Sequence, residues 1–313
     1  MRILVSGASG LLGLNFCLRF ASEHTIDGIV HTHVLTDLPF DLHADDLTEE
    51  KNARTLIERY RPDLLVHCAA LADLDACEKH PQMAYLLNTE LPGWLAEECM
   101  RHSVKMIHLS TDAVFDGTKK GKYVETDSPL PPSVYAQTKL GGEQAVQEVN
   151  SSAFLARVNF YGFSLSGKRS LAEFFLRNLQ AGNPVYGFTD MEFSSLYVLD
   201  LSETLMKCAE KDLQGLYHVT SPQSQSKYDF GIAIARKWGF DEGLISPLSV
   251  QEADFLTAPR SQNLALDPGK VEKALGLHLP SQQDGLDRLY TDHQDGLAQR
   301  IYDLNTQQEL KGN

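Results

Sequence analysis

Arg2-Ile3-Leu4-Val5-Ser6-Gly7-Ala8-Ser9-Gly10-Leu11-Leu12-Gly13 is the stretch on which the reading of this chain turns. Arg2 to Ser6 is a short apolar run, suited to a buried strand, and Leu11 to Ala21 carries apolar residues at helical spacing. Three glycines stand between and within them. The first permits a tight turn, the second leaves no Cβ where backbone must approach a pyrophosphate, and the third lets helix and strand pack closely. A helix opening on such a turn offers free N–H groups and its positive dipole end to phosphates. Gly7, Ser9, Gly10, Leu11, Leu12 and Gly13 therefore form a candidate dinucleotide-binding loop; a merely structural turn is the competing reading.

Beyond this stretch, short apolar runs alternate with longer amphipathic ones. Gly28 to His33 reads as a second strand. Thr48 is placed to cap a helix running to about Tyr60, stopped by Arg61-Pro62-Asp63. Leu64 to Ala70 reads as a third strand, Pro81 to His102 as a long helix, and Val104 to Ser110 as a strand. A helix from about Ser133 to Val149 follows, and Ala153 to Val158 closes the series. Such alternation implies βαβ units, hence an α/β fold with a Rossmann-like, doubly wound parallel sheet. After about Tyr161 the segments shorten and turns such as Gly182-Asn183-Pro184 interrupt them. The expected division is a dinucleotide-binding domain at 1–162, completed by parts of 190–220, and a smaller C-terminal substrate lobe at 163–313.

Bulk properties narrow the function. The 313 residues carry a net charge of -14 without a basic run, which argues against nucleic acid as a partner. An anionic ligand here needs backbone donors or a few placed cations. Cys17, Cys68, Cys77, Cys99 and Cys208 form no C-x-x-C pair and read as reduced thiols. No run approaches the 18 or so apolar residues that span a bilayer, and no secretory leader is evident, so no membrane partner is expected and the cytoplasm is the expected compartment. No histidine or carboxylate spacing suggests a metal site.

A dinucleotide loop usually has an acidic residue about 20 positions further on, for the adenine ribose. His31-Thr32-His33 offers none, and Asp37 comes late. Neither a repelling carboxylate nor a pairing arginine is evident there, which leaves both NADP(H) and NAD(H) open. Asp46-Leu47 could flank the adenine, or Asp45 and Asp46 could be a solvated acidic pair. Ser133 to Lys139 places Tyr135 and Lys139 four residues apart on one helix face. A free phenol is a poor acid–base catalyst at neutral pH, and a nearby ammonium favours its phenolate. A surface pair is the bland alternative. Upstream, Leu109-Ser110-Thr111-Asp112 directly follows a strand, where ligands of open α/β sheets bind. The Thr111 hydroxyl could bind a substrate oxygen there, or simply close a turn.

The chain resembles the extended short-chain dehydrogenases/reductases, and within them the dTDP-4-dehydrorhamnose reductases and related sugar-nucleotide enzymes. The glycine spacing favours them over G-x-G-x-x-G dehydrogenases. The carrying motifs are G-A-S-G-L-L-G at 7–13, R-P-D-L-L-V-H-C-A-A at 61–70, L-S-T-D-A-V-F-D-G at 109–117 and V-Y-A-Q-T-K at 134–139. S-K-Y-D-F at 226–230 and A-P-R-S-Q-N-L-A-L-D at 258–267 extend the match. The resemblance implies a nicotinamide cofactor and a nucleotide-linked deoxysugar as substrate. It makes Tyr135 the general acid–base, with Lys139 lowering its pKa and holding the nicotinamide ribose. Thr111 bonds the substrate oxygen, Ala69, Ala70 and Asn88 lie along the cofactor, and Asp112, Asn159 and Arg260 face the substrate. It also allows a homodimer. Departures are His67 where the family often has Asn, no Trp in 157–162 and no proline in 190–197. Two rivals share the motifs: an epimerase that keeps its NAD, and a non-catalytic regulatory subunit like the methionine adenosyltransferase β-type relatives. A dehydratase is disfavoured because Ala113, not Glu, follows Thr111-Asp112.

Overall fold

The computed structural model describes residues 1–32, 35–253 and 260–311, with side chains described through residue 304. The first half runs β1 (Arg2–Ser6), α1 (Leu11–Phe20), β2 (Thr25–Val30), β3 (Asp41–Ala44), α2 (Glu50–Tyr60), β4 (Leu64–His67), α3 (Leu74–Lys79), α4 (Pro81–Tyr85), a π turn (Leu86–Glu90), α5 (Leu91–His102), β5 (Lys105–Thr111), α6 (Val134–Val149) and β6 (Phe154–Val158). The second half contributes β7 (Phe160–Tyr161), α7 (Leu171–Gln180), β8 (Val185–Phe188), β9 (Glu192–Phe193), β10 (Leu196–Tyr197), α8 (Val198–Glu210), β11 (Gly215–Val219), β12 (Gln225–Ser226), α9 (Lys227–Trp238), β13 (Ile245–Leu248), β14 (Asn263–Leu264), α10 (Gly269–Leu275), α11 (Gln282–Gln294) and α12 (Leu297–Lys311).

Seven strands form one sheet in the order β3-β2-β1-β4-β5-β6-β11, with every pair parallel. Alternation along the strands sorts the side chains between two faces. Leu4, Leu65, Met106 and Leu155 join one apolar layer with residues of α2, α5 and α6. Ile3, Val5, Val66, Ile107 and Ala156 join the other, which α1, α8 and much of the C-terminal half complete. The doubly wound α/β expectation is met. The order reverses between β1 and β4, which opens a crevice at their carboxyl ends. Among the described residues no helix is long and apolar enough to cross a membrane.

Three local readings need correction. The second strand is Thr25–Val30, earlier than Gly28 to His33, and His33 lies outside the described residues. Thr48 does not cap α2: its N–H and hydroxyl both donate to Asp46 Oδ1, at 3.0 and 2.7 Å, in a local turn that leaves Glu49 at the cap position. The run from Pro81 to His102 is not one regular helix. Pro92 has no N–H for the Asn88 carbonyl, and the path widens there into a π turn. β11, inside the 190–220 stretch expected to add to the first domain, pairs beyond β6, from Gly215 against Phe154 to Val219 against Val158.

Candidate active site

Gly7 leaves β1 with φ +70°, and a Cβ on it would lie 2.7 Å from the Ala69 nitrogen. The first and third turns of the switch point therefore meet only because residue 7 is glycine. A Cβ on Gly13 would lie 2.3 Å from the Gly7 carbonyl oxygen, so α1 packs directly on the loop. No side chain caps α1, and its first turn holds no acid, so its leading N–H groups stay available to an anion.

Over this loop lies a cavity of about 540 Å³. Gly7, Ser9, Gly10 and Leu11 form its floor, and Ala69 and Ala70 its wall after β4. Asp46 and Leu47 line it as well, beside His31, whose Nε2 is 3.6 Å from Asp46 Oδ1. Hydrogen bonds from Thr48 hold the Asp46 carboxyl below its ordinary pKa, so it is an anion at neutral pH. Leu12 and Gly13 do not line the cavity. Leu12 is buried in the core, and Gly13 acts through helix packing.

Asn88 also departs from its expected place along the cofactor. It is buried, with Oδ1 accepting from the Leu71 N–H (2.9 Å) and Nδ2 donating to the Leu71 carbonyl (3.0 Å) and Thr138 Oγ1 (3.1 Å). Its amide is spent on tying the loop after β4 to α6, so it shapes the wall that Ala69 and Ala70 present.

Beyond this wall the predicted trio comes together at the end of β5. Ser133 caps α6 by accepting from the Ala136 N–H, and Glu78 receives the Val134 N–H. The helix lays Tyr135 against Thr111 and Lys139 against Leu109, whose carbonyl accepts from the Lys139 ammonium at 2.6 Å. Burial dominates both titrations. It pushes the Tyr135 phenol up to about 12, opposed by a hydrogen bond with Thr111, and the Lys139 ammonium down to about 8. Desolvation, and not Lys139, dominates the titration of the phenol. Thr111 donates to Asp112 Oδ1 (3.0 Å) and accepts from the Ala113 N–H. Asn159 donates to Asp112 Oδ2 (2.6 Å), and burial raises the Asp112 carboxyl to about 6.

Some neighbours were not singled out by sequence. Lys227 opens α9 and is close enough to Asp112 and Arg260 to feel both charges. Only the S-K-Y-D-F match pointed there. Arg260 itself stands 3.8 Å from Asp75, while Ala258 and Pro259 of its motif lie outside the described residues. Arg169 also lines the cavity. His67 and His108 stack below Lys139 with ring centroids 5.4 Å apart; both are buried, which favours their neutral forms. His67 Nδ1 meets Ser6 Oγ at 2.6 Å. No group of three or more metal-type ligands occurs among the described residues.

Comparison with known proteins fits this geometry. The chain is 35% identical over 292 residues to the probable low-salt glycan biosynthesis reductase Agl14 of Haloferax volcanii, covering 91% of this chain and 96% of that protein. It is 32% identical over 272 residues to the dTDP-4-dehydrorhamnose reductase of Mycobacterium tuberculosis, covering 85% and 84%. The crystal structure of dTDP-4-dehydrorhamnose reductase from Bacillus anthracis in complex with NADP superposes with a TM-score of 0.80 at 25% identity, covering 93% of this chain and 99% of that one. The family model described as the RmlD substrate binding domain matches residues 1–294, and the chain belongs to that family.

Proposed function

We propose that this protein is an NAD(P)H-dependent oxidoreductase that reduces a keto group on a nucleotide-linked deoxysugar, in the manner of the dTDP-4-dehydrorhamnose reductases. The observation that carries the reading is the convergence of Thr111, Tyr135 and Lys139 at the end of β5, next to the cavity at the β1–β4 switch point. The residues present fit a dinucleotide: a glycine cradle that any Cβ would fill, unused helix N–H groups, and a wall of small side chains. The loop at Ser9 to Leu11 would hold the pyrophosphate, Asp46 and Leu47 the adenosine end, and Lys139 the nicotinamide ribose.

The bound reduced nicotinamide supplies the hydride; the chain supplies orientation and the proton. A phenol raised to about 12 stays protonated at neutral pH and is a donor, the state that carbonyl reduction requires. In this arrangement the Thr111 hydroxyl gives its proton to Asp112 Oδ1, so holding a carbonyl oxygen docked between Thr111 and Tyr135 would require that hydroxyl to turn toward the substrate, with Tyr135 as the proton donor. Lys227 and Arg260 bring positive charge to the same cleft, where an arginine suits a diphosphate.

The test is oxidation of NADPH and of NADH with a dTDP-4-keto-6-deoxysugar, followed by nicotinamide absorbance. Wild type is expected to turn over, and Tyr135→Phe to lose about 10²- to 10⁴-fold in kcat with cofactor affinity retained. Turnover unaffected by Tyr135→Phe would overturn the assignment of the proton donor. Cofactor binding without any turnover would overturn the keto-deoxysugar substrate.

A further inference from the structure

We propose that Arg169 grips the pyrophosphate of the bound dinucleotide, and that the buried carboxylate of Glu173 acts as a positioning residue that holds the Arg169 loop in place. The inference rests on the reading that the cavity is the dinucleotide site.

On charge alone the cavity opposes a polyanion, because Asp45 and Asp46 line it. Arg169 is the one Lys or Arg among its described lining residues. Asp45 is paired with Arg59 and Asp46 is bonded to Thr48, whereas the Arg169 side chain is exposed and makes no ion pair with any described carboxylate. A guanidinium left open at the wall of a cavity is ready for two parallel bonds to phosphate oxygens.

Its place along the cavity follows from Asn15. The Asn15 amide donates to the Leu11 carbonyl (2.7 Å) and to the Phe163 carbonyl (2.8 Å). The segment that begins at Ser164 is therefore fastened to the first turns of α1, where the free N–H groups stand. Among the described residues, no hydrogen bond or ion pair ties that segment to the β2–β3 edge that carries His31 and Asp46. Arg169 thus belongs with the diphosphate-binding end and not with the adenine ribose.

Glu173 explains how an exposed loop keeps one shape. Its Oε1 accepts from the Ser164 N–H (2.5 Å), and its Oε2 accepts from the Ser164 hydroxyl (2.8 Å), the Arg169 N–H (2.9 Å) and the Ser170 N–H (3.1 Å). Ser170 returns the bond as a capping box and donates its hydroxyl to the Gly162 carbonyl at 2.7 Å. A capping box alone would need only Ser170 and Glu173; the extra bonds to Ser164 and Arg169 close the whole loop on one carboxylate.

The experiment measures Kd for NADPH and NADH, by calorimetry and by reduced-nicotinamide fluorescence, for wild type, Arg169→Ala, Arg169→Lys and Glu173→Gln. Both cofactors share the pyrophosphate and only one has the 2'-phosphate. Arg169→Ala is expected to weaken both by the same factor, about 10- to 100-fold, with an unchanged melting temperature. Arg169→Lys should recover part of the loss, since the charge remains without the fork. Glu173→Gln should weaken both cofactors more mildly, because an amide cannot accept from every donor in the loop. Unchanged affinity in Arg169→Ala overturns the contact, and loss confined to NADPH overturns the pyrophosphate assignment. Unchanged affinity in Glu173→Gln overturns the positioning role. A wild-type protein that binds neither cofactor overturns the dinucleotide reading itself, an outcome distinct from the others.

Discussion

Lys139 keeps an ammonium in a place nearly without water, between the Leu109 carbonyl and two neutral histidines. Its pKa of about 8 lies below its ordinary 10.5, so below pH 8 the folded protein carries the full cost of that charge. Between about 8 and 10.5 the native state has released the proton and the unfolded state has not, so this residue makes stability rise with pH across that window. The shift amounts to about 3 kcal/mol at most, and an unpaired Leu109 carbonyl would take back about 1 kcal/mol. Lys139→Met is therefore expected to stabilise the protein by about 1–2 kcal/mol at pH 7 while weakening cofactor binding. Urea denaturation from pH 7 to 10 checks it; a gain that fails to shrink as pH rises would remove the desolvation argument. The identity of the trio was legible because Thr111, Tyr135 and Lys139 sit at fixed positions on one strand end and one helix face. Their titration was not, because it depends on burial by chain segments far away in sequence. Asn88 shows the same limit: the family resemblance implied a cofactor contact, and only the fold reveals that Leu71 and Thr138 take up its amide.

At the level of elements, α6 must be locked to the sheet for Tyr135 and Lys139 to face β5. The lock is a buried ion pair, with Arg157 Nε and Nη2 of β6 donating to Glu143 Oε1 and Oε2 of α6 at 2.8 and 2.7 Å. Ser110 of β5 donates to the same Glu143 Oε1 at 2.5 Å, and the Arg157 guanidinium lies over the Phe115 ring. Removing one partner strands the other charge. Arg157→Leu is thus expected to cost about 3–5 kcal/mol, whereas Arg157→Leu combined with Glu143→Met should cost clearly less. Thermal unfolding of the singles and the double measures this, and equal losses in all of them would show that packing, not stranded charge, sets the cost. Element types in the first half were readable from periodicity, but exact boundaries were not. Thr48 had the right chemistry for a cap and lost it to Asp46, a competition between neighbours that pattern alone does not resolve. The π turn arises from Pro92 acting four residues upstream, beyond any simple 3.6-residue count.

At the scale of the molecule, the sequence suggested two lobes because the strand–helix rhythm fades after Tyr161, with parts of 190–220 expected to add to the first; the sheet takes its last strand, β11, from the far side of that boundary. β11 borders β6, and α8 packs on α1. One apolar cluster includes Ile3, Val66 and Phe154 of the sheet together with Leu205, Phe230 and Leu289 from the second half. These contacts join residues far apart in sequence, so no local pattern announces them. The consequence is mechanical: the crevice that holds Gly7, Ala69 and Arg169 is built on a core contributed by both halves. The protein is expected to unfold in one calorimetric transition, with van't Hoff and calorimetric enthalpies in agreement. A fragment of residues 1–162 would leave the β6 edge unpaired and uncover the sheet face that α8 and the later helices bury. That fragment is expected to bind a hydrophobic dye, to lack a cooperative thermal transition and to bind no dinucleotide. A cooperative, cofactor-binding fragment would instead mean that the first half carries its own core and that the second merely rests upon it.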